Sequence, residues 1–268
     1  MANEKYLHGH SKSVVAAHSA RTAAEAAAFV LPELCSPMRL LDFGCGPGSI
    51  TIDLAEHLLP EGSVVGIDSS ESVIEQARNS AIERGVSNVD FEVRSIYDTK
   101  LPSESFDGVY AHQVLQHLAD PVSALREARR MMKPDGLCAV REVDWGTSAI
   151  HPFNDDLRDF LRVYSEVARR NGGEPDAGRF LKGWFLDARF ADTQTTTSTW
   201  TFSDEAGLKW WGEQWADRIK TSSIATSAIE YGIADESDLE RISQAWLRWM
   251  NEPGAFFVFT QTEVIGRR

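Results

Sequence analysis

Hydrophobic and polar positions follow two alternating periods along the first half of the chain. Apolar runs short enough for strands occur at residues 38–44, 63–68, 89–95, 106–114 and 136–144. Between them, apolar residues recur every three or four positions after residue 48, over 72–84 and over 121–132, and this spacing predicts helices. Strands that alternate with such helices indicate βαβ units and a mostly parallel sheet.

The segments on either side of this core have less regular patterns. An amphipathic helical pattern over 12–31 precedes the first strand. The second half predicts helices over 154–171, 179–188, 204–221 and 237–250, and strands over 193–202 and 255–265. We therefore expect a seven-stranded α/β fold with helices on both faces of the sheet, N-terminal helices and an inserted helical cap.

The charge of the chain excludes some classes of partner. The 268 residues include 27 Lys and Arg against 40 Asp and Glu, a formal net charge of −13. Such a surface repels phosphate backbones and anionic headgroups, so neither nucleic acid nor a membrane is expected as a partner. The apolar windows also fall short of the roughly 18 residues of a membrane span. Three cysteines, Cys35, Cys45 and Cys138, form no CxxC pair, which is typical of a reducing, cytoplasmic location.

A glycine-rich segment carries the main chemical signal. Asp42-Phe43-Gly44-Cys45-Gly46-Pro47-Gly48 ends the first predicted strand, and Asp68 ends the second. Glycines allow a tight turn and close backbone approach to a ligand, and an acid after the second strand can accept hydrogen bonds from a ribose diol. Ser49 replaces the third glycine of the dinucleotide fingerprint. Asp42 would repel a pyrophosphate but can pair with a cationic amino acid group.

These segments resemble the class I S-adenosylmethionine-dependent methyltransferases, within the branch of ubiquinone and menaquinone biosynthesis methyltransferases. The stretch FDGVYAHQVLQHLADPVSALREARRMMKPDG resembles the fourth strand and following helix of that family. The resemblance implies a Rossmann-like fold and S-adenosyl-L-methionine as the cofactor. It implies an enzyme that transfers a methyl group to an O, N or C atom of a small molecule, which we expect to be apolar or aromatic.

The resemblance also assigns cofactor-binding positions. The family's glycine loop contacts the methionine portion, its second-strand acid binds both ribose hydroxyls, and the next residue packs on adenine. After the third strand the family usually has Gly-Asp, where this chain has Arg94-Ser95, so Ser95 or the nearby Asp98 replaces the acid that receives the adenine amino group. The expected set is Asp42, Gly44, Cys45, Gly46, Gly48, Asp68, Ser69, Ser95, Ile96, His112, Gln113 and His117.

Two residues at the ends of strands are candidates for catalysis. His112 ends the fourth predicted strand and Asp144 the fifth, so both are expected near the transferred methyl group, where either could orient or deprotonate the acceptor. A structural role remains open for His112. For Asp144, a salt bridge to Arg141 or a helix cap is the alternative. His117 could instead cap or pack near the helix.

The acceptor is expected to contact residues from the two ends of the chain. Tyr6 and His10 lie in an N-terminal segment that often covers the cofactor in such enzymes, and Trp145 and Trp211 belong to a tryptophan-rich second half. Because Trp210 and Trp211 are neighbours, at least one should face an acceptor pocket or a dimer partner. No metal is expected, because no Cys or carboxylate joins the N-terminal histidines at ligand spacing.

The expected division of the chain follows from these assignments. Residues 1–38 form a helical segment covering the site, 39–146 the cofactor-binding core, and 147–268 the rest of the sheet with a helical substrate cap. The assembly is expected to be a monomer or homodimer. The alternative function is a non-catalytic S-adenosylmethionine-binding protein, or this fold reused for another reaction.

Overall fold

The computed structural model describes Leu7 and residues 21–268, and these contain one seven-stranded sheet. Its strands are β1 (Arg39–Phe43), β2 (Ser63–Asp68), β3 (Val89–Val93), β4 (Phe106–His112), β5 (Met132–His151), β6 (Ala191–Phe202) and β7 (Phe256–Arg267). The strand order is β3-β2-β1-β4-β5-β7-β6. Tyr6, His10 and residues 12–20 of the predicted 12–31 helix lie outside the described residues. Within the described part of that prediction, the α-helix covers only Ala23–Ala26.

The pairing of the strands confirms the predicted mostly parallel sheet. Strands β1 to β5 pair in parallel, whereas β7 is antiparallel to both β5 and β6. In this register Asp42 lies beside Tyr110, and His112 beside Arg141. The carboxyl ends of β1, β2, β4 and β5 therefore meet at one edge, where ligands of such sheets bind.

The helices pack on this sheet and form the cap. They are α1 (Ala23–Ala26), α2 (Ser49–His57), α3 (Glu71–Arg84), α4 (Pro121–Met131), α5 (Asp155–Arg170), α6 (Ala177–Asp187), α7 (Glu205–Thr221), α8 (Ser223–Glu230) and α9 (Glu236–Trp249). Short 3₁₀ turns occupy Leu31–Glu33 and Leu115–His117. Across the described ranges, no helix is both long and apolar enough to cross a membrane.

Local sequence accounts for several helix boundaries. Helix α4 begins at Pro121, where the missing N–H needs no partner, and the Asp120 carboxylate accepts a hydrogen bond from the Ser123 N–H at 2.9 Å. Helix α9 begins with a capping box between Asp235 and Asp238. The predicted helices of the second half are confirmed to within a few residues.

Two elements differ from the prediction. Helix α8 was not predicted. A single residue, Ser222, separates it from α7 and is its N-cap. Strand β5 was expected to end at Asp144 but continues to His151, because residues 149–151 pair with β7 after a register shift. That pairing depends on a strand more than 100 residues away in the sequence, so the local pattern does not contain it.

A large aromatic core holds the cap against the sheet. Trp145 of β5 packs edge-on against Trp215 of α7 at 5.4 Å between ring centroids, and Phe160 of α5 packs against Trp246 of α9 at 5.0 Å. All four rings are buried. Edge-to-face pairs of this kind contribute packing energy beyond the buried area, so the cap forms a rigid wall beside the carboxyl ends of β4 and β5.

Candidate functional site

The glycine loop between β1 and α2 turns through left-handed backbone conformations. Gly44 has φ +69° and Gly46 has φ +56°, values that disfavour any side chain. A Cβ at Gly44 would lie 2.4 Å from Val114 Cγ2, whereas at Gly46 no described atom lies within 4 Å. Gly44 therefore permits close packing against the turn after β4, and Gly46 presents its backbone to open space.

A cavity of about 300 Å³ lies over this loop and the carboxyl ends of β1, β2 and β4. Most of the residues predicted to bind the cofactor line it, namely Asp42, Gly44, Cys45, Gly46, Asp68, Ser69, Ser95, Ile96, His112, Gln113 and His117. The fold thus brings together residues between positions 42 and 96 with those at the end of β4 and in the turn after it. The predicted substitute Asp98 is not among its lining residues.

Gly48 does not line this cavity. It precedes α2 with φ +83°, and a Cβ there would lie 2.8 Å from the Phe91 ring and 2.9 Å from Ala77 Cβ. Gly48 therefore permits close packing of the loop on the sheet and α3, and its contact with the cofactor stays a prediction.

Two carboxylates lie at opposite sides of the loop. Asp42 is buried and accepts a hydrogen bond from the Thr51 hydroxyl at 2.6 Å. Burial, reinforced by the charge of Asp68, raises the pKa of Asp42 to about 7. A cation bound beside Asp42 would offset the cost of burying the negative charge of its carboxylate. Asp68 accepts the Gly46 N–H at 3.2 Å and the Ser70 N–H at 2.9 Å, so its carboxylate is fixed at the end of β2.

Cys45 lies in the loop, in surroundings that oppose formation of its thiolate. Burial raises the pKa of its thiol well above the usual value, and the carboxylates of Asp42 and Asp68 raise it further. The thiolate is the reactive form of cysteine. Cys45 therefore contributes packing and cavity wall.

A second, smaller cavity of about 50 Å³ adjoins the first. Arg21, Gln113 and His117 line both cavities. The rest of its wall is mostly aromatic and comprises Trp145, Tyr164, Trp200, Trp210, Trp211, Trp215 and Phe259 among the described residues. Trp145 and Trp211, which were predicted to contact the acceptor, both line this cavity, with ring centroids 6.3 Å apart. Trp211 is buried and Trp210 is 40% exposed, in agreement with their adjacent positions on one helix.

The turn that follows β4 forms the junction of the two cavities. Gln113 adopts φ +54°, and its Oε1 accepts a hydrogen bond from Arg21 at 2.8 Å. The next two backbone N–H groups, of Val114 and Leu115, donate to Glu142 Oε1 at 2.8 and 2.6 Å. The carboxyl group of Glu142 therefore holds the turn that carries Gln113 and His117.

Glu142 is a functional candidate that no motif in the sequence marks. It is fully buried, and burial raises its pKa to about 8 although the backbone donors act in the opposite direction. The acid is therefore largely protonated at neutral pH. The period of two along β5 placed its side chain on the same side as Asp144, but nothing in the local sequence indicated its partners.

The two histidines of this region have different surroundings. His112 is buried with its ring 5.8 Å from the Trp200 ring, beside the junction of the cavities. Burial lowers the pKa of His117 to about 3, and the positive charge of Arg21 lowers it further, so His117 is neutral at physiological pH. His117 can accept or donate a hydrogen bond there, but it is a weak base.

The structure does not support the catalytic position predicted for Asp144. Its side chain does not line either cavity and instead accepts hydrogen bonds from Arg179 Nε and Nη2 at 2.8 and 2.6 Å. The anticipated salt-bridge alternative is also corrected, because the partner is Arg179 and not Arg141. Arg141 pairs with Glu263 at 3.2 Å on the other side of the strand. Asp144 faces α6, because Arg179, which neutralises its charge, belongs to that helix.

Other lining residues were not singled out from the sequence. Tyr110 precedes His112 by two positions on β4, so strand periodicity was an available signal that it shares the same side. Its hydroxyl donates to the Ala26 carbonyl at 2.8 Å. Arg21 and Tyr97 also line the larger cavity, and no local motif marks either of them.

Comparisons with known proteins relate the chain to methyltransferases. A family model described as a methyltransferase domain matches residues 34–182. An uncharacterized methyltransferase of Schizosaccharomyces pombe is 30% identical over 271 residues, which cover 98% of this chain and 96% of that protein. The demethylmenaquinone methyltransferase of Lactococcus lactis is 32% identical over 42% of this chain and 45% of its own length.

A solved structure has the same fold. It is phosphoethanolamine N-methyltransferase 2 of Haemonchus contortus in complex with phosphomonomethylethanolamine and S-adenosylhomocysteine. The TM-score is 0.55 at 13% sequence identity, and the match covers 88% of this chain and 49% of that one. At this identity the likeness concerns the fold.

Proposed function

We propose a substrate class for this chain, which belongs to the methyltransferase domain family and is an S-adenosylmethionine-dependent methyltransferase. Its acceptor is a small apolar or aromatic molecule. Family membership confirms the resemblance deduced from the glycine loop. The methyl group would pass to an O, N or C atom of that acceptor. Nucleic acid is not a proposed substrate, because the net charge of −13 opposes it.

The proposal assigns the cofactor to the larger cavity, whose lining includes most of the residues predicted to bind it. Asp42 would pair with its ammonium group, Asp68 would accept from the ribose hydroxyls, and Ser95 with the backbone of Ile96 would contact adenine. The raised pKa of Asp42 supports this orientation, because a cation beside the carboxylate would offset the cost of burying its charge. The open space beside Gly46 leaves room for the ligand to approach the loop. The cofactor supplies an electrophilic methyl group on a sulfonium.

The observation that carries the acceptor proposal is the contact between the two cavities. Gln113 and His117 line both, so a molecule held in the aromatic cavity would face the methyl end of a cofactor held in the other. Methyl transfer is an in-line displacement, and alignment of donor and acceptor supplies much of its rate. The aromatic wall would orient the acceptor and exclude water, and His112 would be the candidate base.

The N-terminal segment belongs to this proposal. We propose that residues 1–38 cover the site, and the position of Arg21 in both linings supports it. We also propose a cytoplasmic enzyme, as the free cysteines indicate, that acts as a monomer or homodimer.

Two measurements test the proposal. Calorimetry should detect binding of S-adenosylmethionine and S-adenosylhomocysteine and weaker or no binding of NAD, because Asp42 repels a pyrophosphate. Isotope-labelled S-adenosylmethionine should then pass its methyl group to a co-purified or candidate small molecule, identified by mass spectrometry. Equal binding of NAD would contradict the cofactor site. Cofactor binding without transfer to any candidate would favour a non-catalytic protein or a fold reused for another reaction.

A further inference from the structure

The smaller aromatic cavity contains buried polar atoms that have no partner within the described residues. They are Gln116 Oε1, Gln214 Oε1 and Trp211 Nε1. The three residues are 5%, 9% and 3% exposed. Burial of an unpaired polar group is costly, and most such groups in proteins have partners. Three of them around one cavity indicate a polar ligand.

These atoms come from two separate elements. Gln116 belongs to the turn after β4, and its backbone carbonyl accepts the Glu174 N–H at 2.8 Å, which fixes the position of the residue. Trp211 and Gln214 are three residues apart on α7 and therefore lie on one face of that helix. The cavity thus receives hydrogen-bonding groups from the sheet edge and from the cap.

The charges around this cavity disfavour a cation. Arg21 and Arg218 line it, and no carboxylate lines it within the described part of the chain. The Arg21 and Arg218 guanidinium groups lie over Trp200 and Trp215 at 5.3 and 5.6 Å, so they already face ring surfaces that an ammonium group would otherwise use. The two amide oxygens still require hydrogen-bond donors, and a neutral hydroxyl is a donor without positive charge.

We infer that this cavity selects acceptors that carry a hydroxyl group on a planar ring and no positive charge. We call the two side-chain amides of Gln116 and Gln214 the Gln116–Gln214 pair. The inference rests on the proposed function. The two amide oxygens of the Gln116–Gln214 pair share the single hydroxyl hydrogen in a three-centre hydrogen bond, and the Trp211 indole N–H donates to the hydroxyl oxygen. A volume of about 50 Å³ holds the hydroxyl and the adjoining part of the ring, while the rest of the acceptor extends past Gln113 and His117.

Small fluorinated probes test this selection on the unmodified protein. The full chain is first saturated with S-adenosylhomocysteine, with saturation confirmed by calorimetry. Fluorine NMR titrations then compare para-fluorophenol, para-difluorobenzene and para-fluorobenzylammonium, which differ in the presence of a hydroxyl and of a positive charge. We expect para-fluorophenol to bind more tightly than para-difluorobenzene by roughly 2- to 10-fold, the effect of one neutral hydrogen bond, and the ammonium probe to bind most weakly.

Three variants locate the binding. Gln116→Leu and Gln214→Leu each remove an amide from the cavity. Gln244→Leu makes the same change on the exposed face of helix α9, where the amide contacts Glu240. The first two should weaken binding of para-fluorophenol by roughly 2- to 10-fold and leave para-difluorobenzene unchanged or tighter. Gln244→Leu should change neither.

The outcomes separate this inference from the proposed function. Failure to bind S-adenosylhomocysteine would contradict the proposed function itself. Normal binding of S-adenosylhomocysteine combined with equal affinity for the phenol and the difluorobenzene would overturn only the selection. The same holds if no probe binds, if the ammonium probe binds best, or if the two cavity variants behave like Gln244→Leu. Because the probe ranking uses the wild-type protein, a variant that fails to fold does not remove the test.

Discussion

Replacement of Glu142 tests whether one buried carboxyl group holds the junction of the two cavities. Glu142 Oε1 accepts the backbone N–H groups of Val114 and Leu115. Glu142→Ala removes that acceptor, whereas Glu142→Gln keeps an oxygen at the same position. Because the pKa of Glu142 is raised to about 8, the acid is mostly neutral at pH 7, and glutamine reproduces its charge as well as its shape.

The number of orphaned groups sets the size of the effect. Each buried N–H left without a partner costs about 1–3 kcal/mol. For Glu142→Ala, which leaves two of them, we expect the free energy of unfolding to fall by roughly 2–4 kcal/mol, because the partly exposed Val114 N–H recovers some hydration. For Glu142→Gln we expect a loss below about 1 kcal/mol, since both hydrogen bonds can re-form. Affinity for S-adenosylhomocysteine should fall in Glu142→Ala, because Val114 packs against Gly44 and lines the larger cavity.

Urea unfolding at pH 7 measures the free energy of unfolding, and calorimetry measures cofactor affinity in the same samples. Glu83→Ala, on the exposed side of α3, is the matched control and should change stability by less than about 0.5 kcal/mol. If Glu142→Ala and Glu142→Gln unfold at the same urea concentration and bind S-adenosylhomocysteine equally, the carboxyl group does not hold the turn and the reasoning fails.

Three further predictions concern the glycine loop and its two acids. Gly46→Val should abolish binding of S-adenosylhomocysteine in calorimetry while circular dichroism still reports a folded sheet; normal binding would mean that the loop is only a turn. Asp68→Ala should weaken the same binding by about 1–3 kcal/mol, and an unchanged affinity would remove Asp68 from the site. For Asp42, whose pKa is raised from 3.8 to about 7, the native state keeps a proton that the unfolded chain releases between these values. Stability of the cofactor-free protein should therefore fall as pH rises from about 4 to 7, and urea unfolding of Asp42→Asn across that range should show a smaller decrease than wild type.

The order of strands and helices in the first half could be predicted because each element's signal is local. Apolar period and glycine positions reflect the geometry of a few neighbouring residues, and strands β1 to β4 lie within a few residues of their predicted spans. The glycine loop is predictable for the same reason, since its chemistry is contiguous from Asp42 to Gly48. The parallel topology then follows from the alternation of elements, and it brings the loop to the edge where the larger cavity lies.

The partners of the buried charges could not be predicted in this way. Asp144 and Glu142 are both acids on the same side of β5. Asp144 pairs with Arg179, whereas Glu142 accepts hydrogen bonds from the backbone of the turn after β4. Which partner a buried carboxyl group takes depends on the element packed against it. Strand periodicity determines a side chain's side of the sheet but carries no information about that element.

The smaller cavity could not be predicted from local sequence either, because its residues are far apart in the chain. Its wall joins Arg21, the turn at Gln116, strand residue Trp200 and helix residue Gln214, which are separated by up to 193 positions in the chain. Composition indicated a tryptophan-rich cap, and the adjacency of Trp210 and Trp211 indicated a second surface. Only packing of the cap on the sheet edge converts those residues into a cavity with unpartnered amides, because enclosure and hydrogen-bond satisfaction are properties of groups that meet in space and not along the chain.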